Sequence, residues 1–312
     1  MAEDIYNSCI TKTKYISFLV VPDSAGSFTQ REEQEKICET SSKPTSKNVA
    51  RANAILTEYI DALVYLANGK NLSGQTISFD ENFTKLGNSL KSLSIPGAAG
   101  TQSRAIFNES EVNAGISIAK FLTNVFTKEF RRDKLKQAIL CTDKDIQTYI
   151  KGSSTSEQPT GGLIALTQQG YINLTLEIEE EKIRGYFTDY IAVLGSNPNS
   201  RILDFRQLEE KYNEAMDNLR KRRDNAETYI EVLSKVAEMH AKLKTEFEGK
   251  NNLNDAQLQN YCKDFFQPKT EKVASKDKSV KYDAEELRKV TNIVSEYTKV
   301  LKPLIQKLDE TR

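Results

Sequence analysis

LEEKYNEAMDNLRKRRDNAETYIEVLSKVAEMHAKLKTEF, Leu208 to Phe247, places Leu208, Tyr212, Ala215, Leu219, Arg222, Ala226, Tyr229, Leu233, Val236, His240, Leu243 and Phe247 at alternating steps of four and three. That spacing keeps one stripe on one face of a helix, whereas a strand would need a period of two. At 1.5 Å per residue the helix reaches roughly 60 Å. Such a rod cannot fold against itself, so its stripe must lie along another helix. "GSNPNS", Gly195 to Ser200, is a tight helix-stopping turn just upstream, which predicts an antiparallel hairpin with the preceding helix. A period near 3.5 also predicts a left-handed twist.

The same spacing recurs elsewhere. Val49, Ala52, Leu56, Tyr59, Leu63 and Leu66 predict a helix after Ser46 as N-cap, and Phe79, Phe83, Leu86, Leu90 and Leu93 a second, broken at Pro96 and Gly97. A third is expected from Glu109 to about Leu140, and a single long helix from Leu163 to Leu194. A last helix, from an Asp283 cap, repeats Leu287, Val290, Val294, Tyr297, Leu301, Leu304 and Leu308, with Pro303 near its end. "KGSSTSEQPTGG" is the best boundary in the chain. The expected organisation is therefore 1–151 as an N-terminal helical region, 152–162 as a flexible loop, and 163–312 as a long hairpin plus C-terminal helix. These are expected to pack as one elongated domain. Only 14 Gly and 7 Pro in 312 residues argue against a many-stranded fold. The fold class predicted is all-α: an elongated antiparallel helical bundle with long coiled-coil-like helices.

Little in the sequence resembles a catalytic constellation. His240 is the only histidine and sits on the seam, as a packed core residue would. One histidine rules out paired-histidine zinc sites and the Glu-x-x-His pairs of di-metal bundles. No G-x-S-x-G supplies a serine for a triad. "PTGGLIALTQQG" lacks both the P-loop ending and dinucleotide spacing, and "EIEEEK" from Glu177 reads as a solvated charged face. No catalytic, cofactor or metal residues are assigned. Lys+Arg and Asp+Glu are 44 each, so no basic excess points to nucleic acid. "FRRDKLK" from Phe130, "RKRR" from Arg220 and the Lys-rich linker after Gln267 read as solvated clusters.

Cys9, Cys38, Cys141 and Cys262 fit no metal-finger or CxxC spacing. The favoured pairing is Cys9 with Cys38, tying down the N-terminal segment, and Cys141 with Cys262, stapling the two halves. That suits an oxidising, extracytoplasmic compartment, periplasmic or secreted. Tyr15 to Val21 is short for a signal core and Glu3 and Asp4 oppose a basic n-region, so the start reads as mature sequence, with any lipid anchor lying upstream. Sequons at Asn71, Asn82, Asn108 and Asn173 occur about as often as chance gives.

Three echoes of Tyr-Ile-x-x-Leu, at Tyr59, Tyr190 and Tyr229, pair tyrosine and leucine at i, i+4 (Leu63, Leu194, Leu233) and are expected to mark helix packing, with Ile60, Ile191 and Ile230 widening the stripe. "VNAGISIAKFLTNVF", Val112 to Phe126, is the least polar stretch. It and the long hairpin loosely resemble helical pore-forming toxins of the cytolysin A and haemolysin BL type, which implies a membrane-acting alternative. At class level the chain looks like the soluble part of bacterial periplasmic lipoproteins. The function expected is that of a non-enzymatic cell-envelope module that binds a protein partner or serves a structural role.

Overall fold

In a computed structural model, residues 1–16, 24–67, 83–95, 104–127, 135–153, 161–196, 202–248 and 255–262 are described, with isolated positions 288, 289, 292, 293, 299 and 303. The described helices are α1 (Ala2–Lys14), α2 (Ser24–Ile37), α3 (Lys43–Ala67), α4 (Phe83–Lys91), α5 (Glu109–Thr127), α6 (Leu135–Lys151), α7 (Gly162–Ala165), α8 (Glu177–Ser196), α9 (Ile202–Glu248) and α10 (Asp255–Cys262). A two-residue antiparallel pairing joins β1 (Ser94–Ile95) to β2 (Arg104–Ala105). The chain is all-α, as its spacing predicts.

α9 runs 47 residues, about 70 Å at 1.5 Å each. α8 lies antiparallel beside its first half: Arg184 bonds Tyr212 and Arg223 bonds Glu180. Beside its second half lies α6, also antiparallel, with Asp143 against His240 and Gln147 against Ala237. Parallel to it runs α3, from Asn53 against Tyr229 to Tyr59 against His240. Two apolar clusters follow. The larger joins α3 to α7 and the C-terminal half of α9; the smaller joins Tyr171, Leu176, Ile183 and Phe187 to Met216, Leu219 and Ala226.

Several boundaries differ from the sequence reading. Ser46 caps nothing: α2 continues into α3 through a π-helical turn, Cys38–Ser42, where the Lys43 N–H bonds the Cys38 carbonyl five residues back. Pro44 accounts for the register change, since it lacks an N–H and its ring crowds the preceding turn. A second π-helical stretch, Leu166–Leu176, interrupts the long helix expected from Leu163. Gly170 lets it approach Ile106, whose Cδ1 would stand 3.2 Å from an added Cβ. The helix expected from Glu109 to Leu140 is two helices, α5 and α6, packed against each other. Gly115 permits this contact, because an added Cβ would meet Tyr149 at 2.7 Å and Leu90 at 2.9 Å.

Asn108 opens α5, accepting from the Ser110 N–H at 3.1 Å while buried Glu111 returns to the Asn108 N–H at 3.1 Å, a reciprocal cap. Glu111 also accepts from Ser153 at 2.7 Å, fixing the end of α6 to the start of α5. Gly152 and Gly162, with φ of 83° and 77°, meet at the two ends of the predicted loop; residues 154–160 themselves lie outside the described residues. So does most of the predicted C-terminal helix, although 288, 289, 292, 293, 299 and 303 are helical and Ile293 is buried in the larger cluster. Phe79, Asn71, Asn82, most of the Tyr15–Val21 stretch and the Lys-rich linker also lie outside them.

Val112, Ile118, Phe121 and Leu122 are core residues of α5, so packing explains the least polar stretch. Among the described residues no helix is long and apolar enough to cross a membrane. The cysteine sulfurs pair at bonding distance as expected, Cys9 with Cys38 and Cys141 with Cys262. The first pair holds α1 to the π-helical turn before α3, and the second holds α10 to α6.

Candidate functional site

Three features carry chemistry or exposure beyond packing. The first is a buried relay. His240, 1% exposed, faces the Tyr59 hydroxyl through Nε2 at 2.6 Å and Asp143 Oδ1 through Nδ1 at 2.9 Å. The Tyr59 oxygen also lies 2.6 Å from Thr142 Oγ1, which is 2.8 Å from the Ala138 carbonyl. Burial alone would raise the Asp143 carboxyl, but the His240 hydrogen bond and charge, with Lys244, hold it below the usual carboxylate range. Burial raises the Tyr59 hydroxyl far above its ordinary value.

This relay can be protonated in two ways with no donor stranded. With neutral His240, Nδ1–H donates to Asp143, Tyr59 donates to Nε2, and Thr142 donates to Tyr59. With charged His240, Nε2–H donates to Tyr59, Tyr59 donates to Thr142, and Thr142 donates to the Ala138 carbonyl. Its heavy atoms join α3, α6 and α9 without an opening for substrate, since Tyr59, Thr142 and His240 are all essentially unexposed. The expectation of a packed seam histidine holds, with a hydrogen-bonding role that its sequence neighbours do not reveal.

The second feature corrects two readings of solvated charge. In "EIEEEK", Glu179 is 2% exposed, and in "RKRR", Arg222 is largely covered. Arg222 donates to both Glu179 oxygens at 2.8 and 2.9 Å and through Nε to Asp4 at 2.7 Å. Ser8 adds a bond to Glu179 at 2.5 Å, and Tyr171 bonds Asp4. Burial would lower the guanidinium pKa, but Glu179 and Asp4 more than reverse this and raise it. Lys12 moves down, chiefly through burial. The fork geometry of arginine suits this two-carboxylate site, and the pairing joins α1, α8 and α9. Their neighbours remain at the surface: Arg220 pairs with Asp217, while Arg184 and Arg223 share Glu180. Beside the network a cleft of about 830 Å³ is lined by Asn53, Tyr171 and Tyr229 among others; its arginine is already matched by two carboxylates.

The third feature is the α8–α9 hairpin beyond the smaller cluster. Nine large apolar side chains are exposed among the described residues, and five of them cluster here: Ile191 (53%), Val193, Ile202 (81%), Leu203 (58%) and Phe205. They occupy the last six residues of α8 and the first four of α9. The Tyr-Ile-x-x-Leu echoes divide accordingly. Tyr59, Leu63 and Leu233 are buried and Tyr229 is half-buried, bonded to Asn53. Tyr190 instead lies half-exposed against Tyr186, and Ile191 points outward. The packing reading therefore fits two echoes and is corrected for the third, where α8 has outrun the rest of the bundle. On one side of this hairpin a groove of about 580 Å³ is floored by Phe187, Ile191, Phe205, Leu208 and Tyr212.

Comparison of the chain with family models, curated proteins and solved structures finds no match. Among the described residues no cluster of His, Cys, Asp or Glu could hold a metal ion.

Proposed function

We propose that this chain is a non-enzymatic, extracytoplasmic helical bundle that recognises a protein partner through its α8–α9 hairpin. The observation that carries this reading is the concentration of Ile191, Val193, Ile202, Leu203 and Phe205 at one end of the molecule. Exposed apolar side chains occurring singly need no explanation, but five of the nine exposed among the described residues lie at this one hairpin end, and Ile191 and Phe205 line one groove there, as at an interaction surface. The two cysteine pairs at bonding distance support an oxidising compartment. A protein that works outside reducing conditions gains from such staples, and both pairs lie on helices away from the hairpin tip. The membrane-acting alternative draws its sequence motive from Val112 to Phe126, and that stretch already has a role in the core.

The test is native complex size. Envelope extracts containing the full chain are fractionated beside a variant with Ser at Ile191, Val193, Ile202, Leu203 and Phe205. The wild type is expected in a complex larger than the free chain, and the variant as the free chain with an unchanged helical spectrum. A wild type that runs free, or a variant that stays in the complex, overturns the proposal.

A further inference from the structure

We propose that the cleft between α1, α3, the second π-helical stretch and α9 is a binding site for a neutral saccharide. It lies apart from the hairpin surface and adds a small-molecule site to the protein-binding reading. The cleft exists because small side chains oppose each other where these helices meet. On α9 the stripe steps from Arg222 to Ala226 to Tyr229, so its middle position carries only a methyl group. On α3 the facing row is Ala50, Asn53 and Thr57, at i, i+3 and i+7. The space left is about 830 Å³, within the range of about 300–1,000 Å³ usual for small-molecule sites. It sits where the two apolar clusters join, since Met1, Ile5 and Ile230 pack against both. The π-helical stretch Leu166–Leu176 brings Tyr171 into its wall, and such departures from α-helix recur at functional sites.

The lining selects the ligand class. An anion needs a spare cation, but Arg222 already serves Glu179 and Asp4. Asp4 in turn accepts from both Arg222 and Tyr171. Apart from exposed Glu3, the remaining polar side chains are uncharged: Asn7 on α1, Asn53 and Thr57 on α3, Asn225 and Tyr229 on α9. Tyr229 donates to Asn53 Oδ1 at 3.0 Å, which keeps the Asn53 NH2 group as a donor and the Tyr229 oxygen as an acceptor. Thr57 donates to the Asn53 carbonyl at 3.2 Å, so its oxygen is an acceptor too. Uncharged donors and acceptors on three helices match a ligand whose hydroxyls both donate and accept. Tyr171 and Tyr229 add ring surface for the C–H faces of a sugar.

Saturation-transfer difference NMR on the oxidised full chain tests this, with maltose, sucrose and N,N′-diacetylchitobiose as probes and inorganic phosphate and putrescine as charged controls. At least one of the three sugars is expected to bind with a Kd of about 1 mM or tighter, and more tightly than either control. Ala50→Trp should abolish that binding by filling the cleft. Ala50 is exposed, so this variant should keep the wild-type helical spectrum and melting curve. Asn53→Ala should weaken binding by about two- to tenfold, the loss of one neutral hydrogen bond. The five-serine hairpin variant should bind sugar as the wild type does, so this inference and the hairpin reading fail separately. The inference is overturned if none of the three sugars binds, if Ala50→Trp or Asn53→Ala leaves binding undiminished, or if phosphate or putrescine binds more tightly.

Discussion

Replacing Arg222 with Met should destabilise the protein far more than an ordinary surface substitution. Arg222 supplies two of the three hydrogen bonds seen at Glu179, whose side chain is 2% exposed, and one to Asp4. Without the guanidinium, Glu179 keeps Ser8 but loses its countercharge in a site that water barely enters. Breaking a buried pair from one side costs about 3–5 kcal/mol, because the stranded charge retains its desolvation penalty. That is a large fraction of a typical net stability of about 5–15 kcal/mol. Replacing both partners, as Glu179→Leu with Arg222→Met, removes the stranded charge, so the double variant should lose clearly less than the two single losses combined. Urea unfolding at neutral pH, followed by far-UV circular dichroism, measures all four proteins of the cycle. Amide exchange should speed first in α1, which Asp4 and Ser8 attach to the hairpin. An Arg222→Met loss below about 1 kcal/mol, the range of an exposed pair, would refute the reasoning, as would simple additivity in the double variant.

Asp145→Asn should stabilise the protein above about pH 6. Burial raises the Asp145 carboxyl to about 6, so the folded state holds a proton that the unfolded state releases near 3.9, and stability falls as pH rises through that window. The gain at neutral pH should be about 2 kcal/mol, from the raised carboxyl discounted for partial exposure. Asp143, depressed by His240, works with the opposite sign: its contribution is present at neutral pH and lost as pH falls below the ordinary carboxylate range. Urea midpoints across pH 4–8, an interval of about two pH units either side of Asp145's raised value, check the Asp145 sign. Tyr59→Phe should cost about 1–3 kcal/mol by leaving His240 Nε2 unpartnered in the core, measured by the same unfolding. The Cys141–Cys262 pair spans 121 residues and Cys9–Cys38 spans 29. Serine pairs should therefore cost up to about 5 and about 3.5 kcal/mol respectively by loop-closure entropy, with Cys141→Ser/Cys262→Ser lowering the melting point more.

The hairpin was legible because α9 repeats its stripe over its own length, so local spacing alone identified helix, partner and direction. Leu219, Leu233, Val236, Leu243 and Phe247 are buried where that stripe puts them. The cysteine pairing followed from proximity and elimination. Contacts between distant helices were not legible. Glu179 looks like its exposed neighbours Glu177 and Glu181, and its burial depends on partners distant in sequence, Arg222 43 residues on and Ser8 171 residues back. His240 meets Asp143 across 97 residues and Tyr59 across 181. One signal did exist in each case: Arg222 occupies a seam position, and the Thr142–Asp143 pair interrupts a helix face otherwise carrying Ile139, Ile146 and Tyr149. The first π-helical turn has a single local trace, Pro44, whereas in the second the buried residues Leu166, Thr167, Tyr171, Ile172 and Leu176 recur at steps of four and five, a departure from the 3.6-residue period that a short stretch leaves easy to overlook. The exposed hairpin end is not legible in the sequence, because the same spacing describes a stripe whether or not a third helix covers it.

Recognition through the hairpin end is tested most directly by photocrosslinking in the cells that make the protein. A benzophenone amino acid is placed at Leu203 and, as a control, at Glu238, exposed on the far half of α9. Irradiation is predicted to give a discrete covalent adduct with a second polypeptide from Leu203 and none from Glu238. Adducts from Leu203 with lipid alone, equal adducts from both positions, or no adduct from Leu203 would contradict the account.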